Sequence, residues 1–212
     1  MLIVFEGLAG ADTAGLMRAV HTELTRRGVA ACRVGAAGGE RLSGPESGGR
    51  AAVVGWVLGV VAELYAVDEG VIGAALGRGE VVVKDGDDTA VVARLAFWLV
   101  RSGVVPVERR AYRWVGVLLS RRRYGATVMV FVDAPARVRR ARIRVRGRAL
   151  GEVEGAVRVW QERLRRQVMA DHQGLVLAVD GGLGVRRESV ARVVDHVVAL
   201  VNRAAAGGGG TR

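Results

Sequence analysis

Continuous apolar runs constrain the fold of this chain more than any other feature. They are rich in β-branched residues and do not alternate with polar positions, which is typical of strands buried on both faces. Because longer helical patterns separate the runs, we expect parallel βαβ units with right-handed crossovers. The runs are LIVFE (2–6), VAACRV (29–34), EVVVK (80–84), TVMVFV (127–132) and LVLAV (175–179).

The segments between these runs carry helical patterns. In the first, Leu16, Val20 and Leu24 fall on one helix face, and Gly28 after a basic pair is a stop signal. The sequence therefore predicts one three-layer α/β domain over 1–204, with a loop over 35–50 and a disordered tail over 205–212. The further helical patterns cover about 51–64, 68–77, 89–101, 107–122, 136–146, 153–170 and 187–204.

Composition narrows the environment and the partners. The formal net charge of +11 favours an acidic partner, although Lys84 is the only lysine and an arginine bias is equally typical of GC-rich coding. Aromatic residues are only 5% of the chain and form no stacking pattern, which disfavours nucleic-acid binding. Cys32 is the only cysteine, so an intramolecular disulfide is excluded.

Hydrophobic patterning predicts a cytoplasmic protein without membrane contacts. No apolar run reaches the roughly 18 residues that a membrane span requires, and no basic region precedes an apolar stretch at the N-terminus. Because parallel α/β sheets bind ligands beyond the carboxyl ends of their strands, functional residues are expected just after each strand. These segments are 7–14, 35–40, 85–89 and 133–135.

The segment after the first run has the layout of a phosphate-binding loop. FEGLAGADTAGL (5–16) combines a strand end, a glycine-containing turn and a helix start. Such loops bind phosphate because successive backbone N–H groups and a helix N-terminus converge on its oxygens.

Taken in order, several stretches resemble the thymidylate kinase family of P-loop nucleoside monophosphate kinases, which begins F-E-G-x-D-G-x-G-K-T-T. Phe5, Glu6, Gly7 and Gly10 match that motif. GRGEVVVKDGD (77–87) is similar to the family's third strand and its flanking turns, and LYAVDE (64–69) to its L-F-A-x-D-R segment. Asp133, Pro135 and RIRVRGR (142–148) are similar to its D-x-P strand end and lid.

The resemblance covers nearly the whole chain and implies both a fold and an activity. The implied fold is a three-layer P-loop NTPase-like α/β fold with a five-stranded parallel sheet flanked by helices. The implied activity is transfer of phosphate from ATP to dTMP, with magnesium as the metal and Asp85 as its candidate ligand.

The departures from the family pattern fall on residues that hold phosphate, metal and base. Asp12 stands in the place of a loop glycine, Thr13 in that of the lysine and Ala14 in that of the metal-binding threonine. Gly86 replaces the arginine after Asp85, and Glu69 replaces the arginine that reads the base. A carboxylate about 4 Å from a phosphate charge costs about 4 kcal/mol near a protein surface. Asp12 also favours N-capping of the helix 13–27, which would fill the anion site with a protein carboxylate.

Other residues are candidate remnants of a nucleotide site. Gly7 and Gly10 permit the loop's tight turn, and Gly38 and Gly39 match glycines of the family's second-strand loop. Tyr65 stands in the place of a base-stacking phenylalanine, and an ordinary core aromatic is the alternative.

Basic residues offer two further candidates. Lys84 ends the third run and either reaches phosphate or faces away from the site. Arg144, Arg146 and Arg148 match the lid and either clamp a nucleotide or form a solvated helix end.

Three functions stay open at this point. The first is a pseudoenzyme with a regulatory or assembly role, which needs no cofactor. The second is an active nucleotide kinase with an atypical loop, which needs magnesium and ATP. The third is a basic nucleic-acid-binding module. Kinase catalysis is mostly positioning and charge stabilisation, so joint loss of the loop lysine, the metal-binding hydroxyl and the arginine after Asp85 favours the pseudoenzyme.

A homodimer is expected, because two segments carry apolar residues on more than one helix face. They are AAVVGWVLGVVAEL (51–64) and TAVVARLAFWLV (89–100).

Overall fold

The alternation of apolar runs and helical patterns produces an α/β structure in which helices flank an all-parallel sheet. The computed structural model describes residues 1–8, 10–35, 44–45, 49–86, 88–119, 124–145, 152–171, 175–180 and 186–207. The α/β class with a parallel sheet is therefore confirmed. Gly38, Gly39, Arg146 and Arg148 lie outside the described residues, as do most of the predicted loop 35–50 and the last five residues of the predicted tail.

The strands begin and end close to the apolar runs. They are β1 Leu2–Gly7, β2 Ala31–Val34, β3 Val81–Asp85, β4 Val128–Asp133 and β5 Leu175–Asp180. Their order across the sheet is β2-β3-β1-β4-β5. The register pairs Phe5 with Asp85 and Gly7 with Val132, so the chain leaves β1 between the carboxyl ends of β3 and β4.

The helices form the outer layers. They are α1 Thr13–Arg26, α2 Arg50–Val67, α3 Ala74–Gly77, α4 Asp88–Arg101, α5 Glu108–Leu119, α6 Ala136–Val145, α7 Glu152–Asp171 and α8 Arg186–Gly207. The prediction of a tail from 205 is wrong by three residues, because α8 continues to Gly207.

The prediction of separate helices over 51–64 and 68–77 is also wrong. A π-helical segment, Asp68–Gly73, joins α2 to α3, and the residues at both of its ends keep helical φ and ψ angles. The predicted gap lay at 65–67, and the structure keeps these residues helical. Gly70 and Gly73 lie inside the second predicted helix and weaken a helix by about 1 kcal/mol each without ending it.

Each face of the sheet buries one set of alternating strand residues. Ile3, Phe5 and Val83 face α1 and α8 and pack on Leu24 and Val193. Leu2, Val4 and Val82 face the opposite way and contact Ile72 and Ala75 near α3. A separate apolar cluster joins α2, α4 and α5 on that second side. The layers are thus helix, sheet and helix.

The continuous helix from Arg50 to Gly77 is long and apolar enough to cross a membrane by length and composition alone, and 33% of its most apolar window is buried. The sequence prediction treated its first 14 apolar residues as a separate run, and the structure joins them to the next segment. Core helices of soluble proteins meet the same criterion. In this chain, Val53, Val57 and Leu64 pack into the cluster between α2, α4 and α5.

A matched pair of valines tests the assigned core. Val20 is fully buried against the sheet and Val145 is 87% exposed. We expect Val20→Ala to lower the free energy of unfolding by about 1–3 kcal/mol, because it removes buried methyl groups and leaves a cavity. Val145→Ala should change that free energy by less than about 0.5 kcal/mol. Urea unfolding of both variants measures the difference, and equal effects would contradict the assigned core.

Candidate functional site

The loop between β1 and α1 closes on itself. The Ala11 N–H donates a hydrogen bond of 2.9 Å to the Leu8 carbonyl, and Gly10 between them has a φ of 85°. Leu8 and Ala11 are both buried. A positive φ at this turn position is strained for any residue but glycine. The Ala11 N–H is therefore directed at the loop's own carbonyl, whereas a phosphate-binding loop presents such groups to the ligand.

Helix α6 packs directly on this loop. A Cβ at Gly10 would lie 2.6 Å from the Arg139 carbonyl oxygen, so only glycine allows the two backbones to approach this closely. From the next turn of α6, Arg142 Nη1 donates hydrogen bonds of 3.2 Å to the carbonyls of Gly10 and Ala11. The loop is thus held by a protein guanidinium on its carbonyl side.

Asp12 occupies the N-cap position of α1, as the sequence predicts, but without the predicted geometry. Its backbone is left-handed, with φ 70° and ψ 39°, and it forms no side-chain capping hydrogen bond. Its carboxylate nevertheless lies against the first turn of α1, because a Cβ at Gly15 would be 2.5 Å from Asp12 Oδ2. A negative charge is stabilised there by the positive end of the helix dipole.

Thr13 and Asp85 meet at the carboxyl ends of β1 and β3. The Thr13 hydroxyl donates a hydrogen bond to the Asp85 carboxylate, and Arg18 of α1 and Asp12 are close enough to act on it electrostatically. Burial raises the pKa of Asp85 above its ordinary value, and the Asp12 charge adds to this rise; the Thr13 hydrogen bond and the Arg18 charge oppose it. The site therefore disfavours the charged form of Asp85.

The arrangement does not fit the magnesium–ATP complex that the family resemblance implies. The lysine position holds Thr13, whose hydroxyl is bonded to Asp85, and the metal-hydroxyl position holds Ala14. Among the residues that the structure describes, no group of three or more His, Cys, Asp or Glu side chains is placed to bind a metal ion. Asp85 lies at the predicted carboxyl edge of the sheet, but the described residues around it do not complete a metal site.

Lys84, at the end of β3, is buried in the interior of the protein. It is 4% exposed and pairs in register with Val4, so it lies on the same sheet face as Glu6. Glu6 is also buried and accepts a hydrogen bond of 3.1 Å from Gln161 Nε2 of α7. Buried side chains of this kind are stable only where other groups of the protein compensate them. Lys84 and Glu6 therefore belong to the interior and are not surface residues of the site.

Tyr65 lies away from this edge loop, on α2. Its hydroxyl donates a 2.7 Å hydrogen bond to the Leu118 carbonyl of α5, and its ring packs on the cluster between α2, α4 and α5. These contacts of Tyr65 are typical of an ordinary core aromatic, which was the alternative to a base-stacking residue.

The predicted residues thus fall into three groups. Gly7, Gly10, Asp12, Thr13, Ala14 and Asp85 come together at the carboxyl edge of the sheet. Lys84 and Tyr65 are engaged in the interior, and Arg144 is exposed near the end of α6. The sequence missed the contacts of Arg18, Arg142 and Gln161. Only the similarity of RIRVRGR to a lid points to one of them, Arg142.

Comparisons with known proteins add no assignment. No family model matches the chain, and no curated protein matches it.

The raised pKa of Asp85 predicts a pH-dependent gain in stability for Asp85→Asn. The native state binds this proton more tightly than the unfolded chain, so the charged carboxylate lowers stability as pH rises from about 3.8 through the native pKa. At pH 7 we therefore expect the variant to be more stable than the wild type, since it carries no charge at this position. The difference should vanish below about pH 3.8.

Thermal unfolding at pH 3.5 and pH 7 measures this effect, with about 2–4 °C expected per kcal/mol for a chain of this size. Asp133→Asn is the matched control, because Asp133 is an exposed carboxylate at the end of β4. A loss of stability at pH 7 in Asp85→Asn alone would show that its negative charge holds the site together.

Proposed function

We propose that this protein is a thymidylate-kinase-like protein of the P-loop fold that no longer transfers phosphate and that acts as a pseudoenzyme in regulation or assembly. The observation that carries the proposal is the Asp12 carboxylate against the first turn of α1. A helix N-terminus at this place binds phosphate in kinases of the fold. Here the protein supplies its own anion.

The contacts of the loop support the same conclusion. Its turn is closed by the hydrogen bond between Ala11 and Leu8, and its outward carbonyls are bonded to Arg142. A nucleotide phosphate would meet a carboxylate at Asp12 and a threonine methyl and hydroxyl at Thr13 instead of an ammonium group. Loss of one preorganised donor typically costs about 10²–10³ in rate, and several such groups are missing together.

We expect the purified protein to form no ADP that depends on dTMP, and to bind ATP no better with magnesium than without it. A coupled ADP assay and calorimetry measure the two quantities, with an active thymidylate kinase as the positive control. Robust dTMP-dependent ADP formation would contradict the pseudoenzyme and favour an active kinase with an atypical loop. Salt-sensitive binding of an oligonucleotide without nucleotide binding would favour the nucleic-acid-binding module.

A triple variant separates the effect of side chains from that of loop geometry. Asp12→Gly, Thr13→Lys and Ala14→Thr together remove the carboxylate, fit the left-handed φ at position 12 and restore a cation and a hydroxyl. This variant should bind ATP more tightly than the wild type, whereas Ala14→Thr alone should not. If the triple variant folds and gains no affinity, then the closed turn and the α6 contacts exclude the nucleotide.

We also propose that the protein is a homodimer joined through the outer face of α2. The apolar circumference of α4 needs no partner, because no residue in 89–100 is exposed within the single chain. The outer face of α2 differs: Leu58 is 47% exposed, and open space surrounds Gly55 and Gly59. The other exposed residues of α2 after Arg50 carry no charge; they are Ala51, Ala52, Ala62 and Ala66.

A two-fold axis would place this uncharged face against its own copy and cover it on both subunits. Light scattering at micromolar concentration should give about twice the 22.4 kDa of one chain. Leu58→Glu should give a monomer, because it places a charge at the centre of the interface. Val145→Glu, at an exposed valine on α6, should remain a dimer. A wild-type mass near that of one chain would refute the dimer.

A further inference from the structure

A cleft opens between the carboxyl ends of β1 and β4. It has a volume of about 290 Å³, near the low end of the roughly 300–1,000 Å³ of small-molecule sites. The chain crosses from β1 toward β2, and from β4 toward β5 on the opposite side. Connections that diverge in this way leave a crevice between two neighbouring strands, which is where parallel α/β sheets bind ligands.

Arg139 of α6 brings an unused donor to this cleft. Its side chain lines the cleft. Its Nε is buried and has no hydrogen-bond partner among the residues that the structure describes. A buried guanidinium N–H without an acceptor is costly, and such groups in native proteins usually bond to water or a ligand. Guanidinium donors match the oxygens of phosphate and carboxylate groups.

The other groups of the cleft indicate what else a ligand would carry. Arg166 of α7 also lines the cleft and is a second cation there. Its side chain is 78% exposed, and its Nη2 lies 3.3 Å from Glu162 Oε1. Asp133 and Glu162 can accept hydrogen bonds from hydroxyl or amine groups, and Leu8 and Pro135 add apolar wall.

We propose that this cleft binds the oxoanion group, phosphate or carboxylate, of a small polar metabolite, with Arg139 as the principal donor. This goes beyond the proposed function and does not require the loop after β1 to hold phosphate. Occupation of the cleft is coupled to that loop, because the Arg139 backbone packs on Gly10 and Arg142 binds the loop carbonyls. The ligand therefore contacts the helix that fixes the loop's shape.

The test uses inorganic phosphate as the probe at constant ionic strength. The Arg Nε–H resonances of the wild-type protein are followed by two-dimensional NMR during the titration. Arg139→Lys identifies the relevant resonance, since it keeps the positive charge and removes the Nε–H group. Arg137→Lys is the matched control, because Arg137 is an exposed arginine of the same helix that does not line the cleft.

We expect a saturable shift of the Arg139 Nε–H resonance, and phosphate affinity at least about tenfold weaker in Arg139→Lys, as loss of a charged hydrogen bond predicts. Arg137→Lys should bind like the wild type. A parallel titration with acetate shows which oxoanion is preferred. The proposal is overturned if neither anion gives saturable shifts, if chloride reproduces them, or if Arg139→Lys binds as the wild type does.

Discussion

The contact between Gly10 and α6 determines the shape of the whole carboxyl edge. Because β1 and β4 are neighbours in a parallel sheet, the loop after β1 emerges beside the start of α6. The absence of a Cβ at Gly10 lets the Arg139 backbone approach, and this approach brings Arg142 within hydrogen-bonding distance of the loop carbonyls. A side chain at position 10 would separate the two elements and release these bonds. The positions of the loop, the cleft beside it and the first turn of α1 therefore depend on one another.

The charges at this edge are satisfied within the protein. Asp12 lies at the positive end of α1. Asp85 accepts a hydrogen bond from the Thr13 hydroxyl and interacts electrostatically with Arg18. Two carboxylates at the mouth of the sheet oppose a polyphosphate, which carries several negative charges of its own. Arg139 differs, because its Nε has no acceptor within the part of the chain that the structure describes. The pattern suits a single oxoanion beside the loop better than a nucleotide within it.

The sequence predicted local structure where one chemical signal dominates. Continuous β-branched runs gave β1, β3 and β4 to within a residue, because a strand covered by helices on both faces has no polar side to alternate with. The join between α2 and α3 was missed, because the tertiary contacts along this helix cannot be known from the sequence. One such contact is that of Gly73 with the Tyr124 hydroxyl, which would lie 2.6 Å from a Cβ at position 73.

Long-range contacts at the site could not be predicted from the sequence for a related reason. The motif comparison placed Asp12, Thr13 and Asp85 at one edge, and the structure brings them together. It could not place Lys84 in the interior, because a cation at the end of an apolar run fits a solvent-facing position equally well. Nor could it bring Arg142 to a loop more than 130 positions earlier in the chain, since that contact depends on which strands are neighbours.

The difference in burial between site and core makes the proposed loss of catalysis compatible with an intact fold. Asp12, Thr13 and Ala14 are only partly buried, whereas Ile3, Phe5 and other strand residues are fully buried. Substitutions at partly exposed positions usually change stability by about 0.5 kcal/mol or less, while truncation of a core side chain costs about 2–5 kcal/mol. The phosphate-binding side chains can therefore be replaced at little cost in stability. The sheet and the outer face of α2 depend on other residues, so the proposed assembly through that face does not require the residues that catalysis would need.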